Sequence, residues 1–180
     1  MKLLFIGPPG AGKGTQAGKV AARLGIPHIS TGEMFRDNVA LGTELGKQVE
    51  AILEAGGYVP DELTVAMLRE RISQPDAADG FILDGFPRTD AQVEYLDELL
   101  GSDGLDRVVV FEVDEDDLTE RLLARGRADD TEATIRARFG IYMEQTQPLI
   151  DVYSERNLTI WVDGIGEVEE VTDRILGAIS

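Results

Sequence analysis

The sequence predicts a three-layer α/β fold around a five-stranded parallel sheet, and three observations carry the prediction. Short runs of almost continuous apolar character recur along the chain, at Leu3–Ile6, Phe81–Leu83, Val108–Phe111 and Leu158–Val162, as expected of strands buried on both faces. Between them, apolar residues repeat at the helix period, so strands and helices alternate, which implies a parallel sheet joined by right-handed crossovers. A glycine-rich loop links the first strand to the first helix. At 180 residues and 43% hydrophobic, the chain suffices for one core with small inserts.

The first unit reads as strand Lys2-Leu3-Leu4-Phe5-Ile6, loop Gly7-Pro8-Pro9-Gly10-Ala11-Gly12-Lys13-Gly14-Thr15, and a helix whose inner face is Ala17, Val20, Ala21 and Leu24. Glycines let consecutive backbone N–H groups curl around an anion, and the helix that follows aims its positive end at the same point. Lys13 adds a mobile full charge. The pattern G-x-x-x-x-G-K-[ST] is met by Gly7, Gly12 and Lys13 and broken at its last position, where Gly14 stands and Thr15 follows. The hydroxyl that usually holds Mg²⁺ beside the lysine is thus displaced. Thr15 is expected to touch phosphate, and a metal must lean on water and another carboxylate.

Gly25 closes the first helix, and Ile26-Pro27-His28-Ile29-Ser30 reads as a short second strand. His28, the only histidine, has no sequence neighbour that suggests a ligand set or a nucleophile, so a structural role is expected. Ser30 and Glu33 have capping-box spacing before a helix through Met34, Phe35 and Arg36. A second helix from about Thr43 carries Leu45, Val49, Ile52 and Leu53 on one face and ends at Gly56-Gly57. Two small helices between consecutive strands suggest an insert on glycine hinges, spanning 30–59. Pro60-Asp61-Glu62 starts the crossover helix, with Leu63, Met67 and Leu68 inward.

The third strand, Phe81-Ile82-Leu83-Asp84, ends in a carboxylate. Ligands of open parallel sheets sit at the carboxyl ends of strands, so Asp84 is expected beside the phosphate loop. Gly85-Phe86-Pro87-Arg88 follows as a turn carrying an arginine, and Thr89 caps a helix presenting Gln92. Val108–Val113 is the fourth strand, after which Asp114-Glu115-Asp116-Asp117 crowds carboxylates at a helix start, as the helix dipole favours. That helix carries Leu118, Arg121, Leu122 and Arg125. A polar connection, 126–132, leads to a long helix through Ile135, Phe139, Tyr142 and Met143, broken near Pro148. Leu158–Asp163 is the fifth strand, Gly164-Ile165-Gly166 a turn, and Val168, Val171, Ile175 and Ile179 one face of a closing helix.

A formal charge of −17 opposes non-specific binding to nucleic acid or an anionic membrane. Within this acidic chain, arginine clusters at Arg121, Arg125, Arg127, Arg136 and Arg138, a concentration of guanidinium groups suited to a small polyanion. Arg136 also suits surface pairing with helix neighbours. The chain has no cysteine, which excludes disulfides, thiolate catalysis and cysteine-held zinc. The apolar start ends at Gly7-Pro8, too soon for a signal peptide. No run reaches the ~20 apolar residues of a membrane span. The expectation is a cytoplasmic monomer without membrane or nucleic-acid partners.

Gly7 to Thr15, Thr31-Gly32 with Arg36, the run Phe81 to Arg88 with Gln92, and Arg127-Ala128-Asp129-Asp130 together resemble the adenylate kinases, in their bacterial form with a short lid. The resemblance covers nearly the whole chain, and the block from Phe81 to Gln92 is its most specific part. It implies a nucleoside monophosphate kinase-like P-loop fold and the reaction ATP + AMP ⇌ 2 ADP with Mg²⁺. It also implies a core of 1–29, 60–125 and 133–180, an AMP-binding insert at 30–59 and a lid at 126–132. By the same resemblance, Gly10, Ala11, Gly12, Lys13, Gly14 and Thr15 surround the ATP phosphates, with Arg121 and Arg125 facing ATP and the Gly166 backbone meeting its adenine. Thr31, Arg36, Gly57-Tyr58-Val59, Gly85-Phe86-Pro87-Arg88 and Gln92 line the AMP site. Arg127 and Arg138 bridge the exchanged phosphates, and Asp84 holds Mg²⁺ through water. Lys13, Arg88, Arg121, Arg127 and Arg138 form the catalytic set. The zinc-binding hairpin of longer lids is absent, since a single residue separates Arg125 from Arg127.

Phosphoryl transfer needs positioning and charge neutralisation more than proton transfer. A phosphate acceptor with a second pKa of about 6 is already a nucleophile at neutral pH and needs no general base. Two rival readings are a UMP/CMP kinase, disfavoured by Thr31 and Gln92, and a nucleotide switch. For the switch, Asp163-Gly164-Ile165-Gly166 matches D-x-x-G, but no N-K-x-D follows it.

Overall fold

The computed structural model describes residues 1–113, 115–127 and 130–180, with 115–117 by their backbone alone. The carboxylate cluster expected at 114–117 and the pair Ala128-Asp129 therefore lie outside the described side chains. Five parallel strands, β1 (Lys2–Ile6), β2 (His28–Ser30), β3 (Phe81–Asp84), β4 (Arg107–Glu112) and β5 (Thr159–Asp163), form one sheet in the order β2-β3-β1-β4-β5. Strand β2 is shorter than the sequence suggests. Pro27 has no N–H for the ladder, and only its carbonyl takes part, accepting from Ile82 N at 2.9 Å.

Alternation along the strands divides the core. Leu4, Ile6, Leu83, Val108 and Val110 face one layer. It is built from α4 (Asp61–Ile72), α5 (Asp90–Leu100) and α8 (Leu149–Glu155), which supply Leu68, Val93, Leu96, Leu149 and Tyr153. Leu3, Phe5, Ile82, Val109 and Phe111 face the other. There α1 (Lys13–Leu24), α6 (Glu115–Arg125) and α9 (Val168–Ile179) bring Ala17, Val20, Leu118, Val171 and Ile175. Burial of both faces explains why the strands read as apolar runs.

The chain visits β2 and β3 on one side of β1, then β4 and β5 on the other, so a crevice opens at the carboxyl end of the central strand. Between β2 and β3 stand α2 (Thr31–Ala40) and α3 (Glu44–Glu54), which share a small core of Phe35, Val49 and Val59 with Leu63 and Met67 packed against it. Ser30 and Thr43 cap them, accepting from Glu33 N and Gly46 N.

The long helix expected after the polar connection is divided. α7 (Glu132–Ile141) passes into a widened turn at Tyr142–Thr146 before α8. Gln147 N donates to Tyr142 O across five residues at 2.9 Å. Pro148 follows at once and has no N–H with which to continue an ordinary helical ladder. The change of register buries Tyr142 and Thr146 and leaves Met143 48% exposed. No described helix is long and apolar enough to cross a membrane.

Candidate active site

A cavity of about 590 Å³ lies at the carboxyl ends of β1 and β3, a volume suited to a sizeable small molecule. Its floor is the loop between β1 and α1, where Gly10, Gly12, Lys13, Gly14 and Thr15 line the space. Ala11 is buried behind the loop at 2% exposure. The turn after β3 supplies Asp84, Gly85, Pro87 and Arg88, while Phe86 belongs to the core. Arg36, Gly57 and Tyr58 line the cavity as well, as do Arg121, Arg125, Arg127 and Arg138. Besides Ala11 and Phe86, four more of the expected positions stand back from the surface of the cavity. Thr31 and Gln92 are each 2% exposed, Val59 sits in the small helical core, and Gly166 is exposed at the approach to α9.

Lys13 Nζ donates to the carbonyls of Gly7 at 2.7 Å and Pro8 at 2.9 Å, so its ammonium curls over the loop. Burial lowers its pKa from 10.5 to about 8, with Asp84 pulling upward and Arg88 and Arg125 adding to the depression. The lysine remains charged at neutral pH, and a bound anion would restore its affinity for the proton.

Asp84 pairs in register with Phe5 of β1 and Ser30 of β2, at the carboxyl edge of three strands. Burial alone would raise its pKa, yet His28, Lys13 and Arg88 outweigh burial and hold the carboxyl below its usual range. His28 Nε2 lies 3.5 Å from Asp84 Oδ2, at the outer limit for a hydrogen bond. The lone histidine thus backs the site's carboxylate, an association that parallel strand pairing creates and sequence distance hides. A Cβ at position 14 would stand 3.4 Å from Asp84 Oδ2. Glycine here keeps clear the space between the loop and the carboxylate that a side chain would enter.

Arg88 is held almost entirely by neutral groups. Its Nε donates to Gly85 O at 2.6 Å, its guanidinium lies 4.7 Å from the centre of the Tyr58 ring, and its carbonyl accepts from Thr146 Oγ1 at 2.9 Å. Thr146 in turn meets Tyr58 OH at 2.8 Å, and because its own hydrogen goes to Arg88 O, the tyrosine is the donor. Gly85 O accepts from Thr31 Oγ1 as well, at 2.9 Å. Gly85 has a φ of +84°, and a Cβ would come within 2.8 Å of Arg88 Nη2 and 2.9 Å of Thr31 Oγ1. Only glycine allows this double approach.

Arg125 and Arg138 are organised by a carboxylate. Asp130, with its side chain 1% exposed, accepts from Arg125 Nε at 2.9 Å, Arg125 Nη2 at 2.7 Å and Arg138 Nη1 at 3.0 Å. Burial pushes its pKa up, and the Arg125 hydrogen bonds with the charges of Arg125 and Arg138 push it further down, so the carboxyl stays ionised.

Sequence reasoning finds the arginines and misses what holds them. Thr146 is invisible because it enters the site through a widened turn. Asp130 stands inside a quoted motif without an assigned role, although Arg125, at the end of the helix just before it, was a signal for it. Among the described residues, no group of three or more His, Cys, Asp or Glu side chains could hold a metal ion. Among the described residues, two carboxylates line the cavity, Asp84 and Glu33, amid cationic groups. The site is equipped to neutralise and orient a polyanion, and no imidazole lines it among the described residues.

A family model described as adenylate kinase matches residues 5–158. The chain is 54% identical to the adenylate kinase of Clavibacter michiganensis subsp. michiganensis, over 99% of this chain and 92% of that one. It is 55% identical to the adenylate kinase of Nocardioides sp., over 99% and 97%, and 50% identical to that of Corynebacterium glutamicum, over 99% of each. The match spans the loop, the Asp84–Arg88 turn and the arginine segment alike, and with a sheet order and cavity that bring those three together, the chain belongs to the adenylate kinase family.

Proposed function

We propose that this protein catalyses the reversible transfer of the terminal phosphoryl group of ATP to AMP, giving two ADP. The observation that carries the reading is the convergence of Arg88, Arg121, Arg125, Arg127 and Arg138 on one cavity lined by the Lys13 loop. Lys13 with the loop N–H groups would grip the donor's phosphates, Arg88 and Arg36 the acceptor's phosphate, and Arg121, Arg125, Arg127 and Arg138 the charge that spreads between them. Gln92 would meet the acceptor's base from behind the Pro87-Arg88 turn. Holding donor and acceptor in line supplies much of the acceleration, and fixed cations supply most of the rest.

The residues present fit Mg²⁺. The ionised carboxylate of Asp84, beside the side-chain-free position of Gly14, suits an ion that keeps most of its waters and takes its other ligands from phosphate. Asp84 would hold Mg²⁺ through water, and the ion would supply positive charge to the donor's phosphates. The segment 30–59 would act as the flap over AMP and 126–132 as the lid over ATP, both excluding water from the reacting phosphate. The protein would work as a cytoplasmic monomer on free nucleotides.

The test is ADP formation from MgATP with AMP, CMP or UMP as acceptor. The reading expects fast turnover with AMP and far slower turnover with either pyrimidine. Equal or better turnover with CMP or UMP would move the assignment to a sister kinase.

A further inference from the structure

We propose that Asp61 sets the specificity of the acceptor site among purines by locking the side-chain amide of Gln92 in one of its two orientations, so that the site takes purines offering an exocyclic amine beside a ring acceptor and rejects 6-oxo purines. The inference rests on the reading that Gln92 meets the acceptor's base.

An amide turned by 180° keeps its shape and exchanges its donor for its acceptor, so its neighbours decide which edge it presents. Gln92 is fixed from three directions. Its backbone N–H donates to the Thr89 hydroxyl at 3.2 Å, its Oε1 accepts from Arg88 N at 2.8 Å, and its Nε2 donates to Asp61 Oδ1 at 2.6 Å. A backbone N–H can only donate and a carboxylate can only accept. Turning the amide would therefore set donor against donor at Arg88 and acceptor against acceptor at Asp61. Gln92 is 2% exposed, so water could not relieve either mismatch. Nε2 carries a second hydrogen and Oε1 a second lone pair, and with the orientation fixed, these present one donor and one acceptor in a set order.

Adenine places an amine hydrogen at position 6 next to an acceptor nitrogen at position 1, which matches an amide in one sense. Hypoxanthine carries an oxygen at position 6 and a hydrogen on N1, the reverse order at nearly the same shape. A free amide would serve both by turning, while a locked one accepts the first and leaves polar groups unpaired against the second. Asp61 opens α4 and Gln92 lies in the first turn of α5, so the lock is carried by a helix start outside the cavity wall. Asp61 acts through Gln92, as a positioning residue.

The experiment measures kcat/KM for AMP and IMP with MgATP in the full-length protein, in Asp61→Asn and in Gln92→Leu. An asparagine of nearly the same shape can donate as well as accept, which removes the mismatch at position 61 and leaves only the one at Arg88 N against a turned amide, so Asp61→Asn is expected to lower the AMP:IMP ratio by about tenfold, chiefly by improving KM for IMP relative to AMP. A ratio unchanged in Asp61→Asn but collapsed in Gln92→Leu would overturn the lock and keep Gln92 as the base reader. A Gln92→Leu protein with unaltered kcat/KM for AMP would overturn the base-reading role and the lock with it. Equal losses for both acceptors in Asp61→Asn would reduce Asp61 to a structural residue and also overturn the proposal. The unmodified protein gives a second test. Purine riboside monophosphate, which keeps the acceptor at N1 and carries nothing at position 6, should exceed IMP in kcat/KM, and the opposite order would contradict a locked amide.

Discussion

Arg88 and the pair Arg125–Arg138 face the same cavity and are held by opposite means. The groups around Arg88 are a carbonyl, an aromatic face and, through its backbone, a threonine hydroxyl. These fix its position while leaving its charge available to a ligand. Arg125 and Arg138 share the buried carboxylate of Asp130, which offsets much of their charge before any phosphate arrives. In the proposed reaction a phosphate would compete with Asp130 for the second group, whereas it would meet the first as a ready-made partner. Preorganised charge acts without reorganisation, so Arg88 is assigned the rigid role and the Asp130 pair the adaptable one.

Removing charge from each side should break the comparison most visibly. Arg88→Ala is expected to lower kcat by about 10³-fold, in line with the loss of a preorganised donor. Arg125→Ala, whose charge is already shared, should act mainly by raising KM for ATP, by about tenfold. Steady-state kinetics with both substrates varied distinguishes them, and equal kcat losses would erase the distinction between the two sides.

Lys13 gives the next effect. Its native pKa of about 8 lies below the ordinary 10.5, so between these values the unfolded chain holds a proton that the native chain has lost. The ligand-free protein should therefore gain stability as pH rises from 8 towards 10.5, while kcat/KM for MgATP falls over the same interval because the free enzyme loses the charge that grips phosphate. Thermal melts and rate profiles across pH 7–10 check both signs, and Lys13→Arg should keep any residual rate flat there.

Asp130→Asn should destabilise the fold by about 1–3 kcal/mol by leaving two partly buried guanidinium groups less well paired. Because the native pKa of Asp130 is depressed, its contribution is present above the ordinary carboxylate pKa and disappears as pH falls through the lower native value. The stability gap between variant and unmodified protein should accordingly close in acid, as urea melts from pH 7 down would register.

The smallest effect belongs to Tyr58. Tyr58→Phe removes the hydroxyl bond to Thr146 and keeps the ring over Arg88, for a loss of about 1 kcal/mol. Tyr58→Leu also removes the cation–ring contact, adding about 0.5–1 kcal/mol. Chemical denaturation with kcat measured in parallel should show the two losses in that order.

The same contrast explains what the sequence reveals. Strands buried on both faces leave apolar runs, and the phosphate loop and the Asp84–Arg88 turn are contiguous, so sheet, Lys13 and Arg88 are legible by inspection. The supports are not, because each joins distant segments. Thr146 reaches Arg88 across 58 residues, Asp61 reaches Gln92 across 31, and His28 meets Asp84 through strand pairing. The widened turn at Tyr142–Thr146 defeats a simple helical period, which would have turned Met143 inward. Gln92 and Thr31 line the site in the sequence reading, yet both stand behind its wall with their polar groups engaged by neighbours.

In the proposed function this cavity passes a phosphoryl group between two nucleotides and keeps water out of the exchange. Phosphorus NMR of the products formed from MgATP, with and without AMP, is the direct test. Two ADP are expected for each ATP consumed when AMP is present, and almost no inorganic phosphate in either sample. Steady release of inorganic phosphate from MgATP alone, unaffected by AMP, would contradict it.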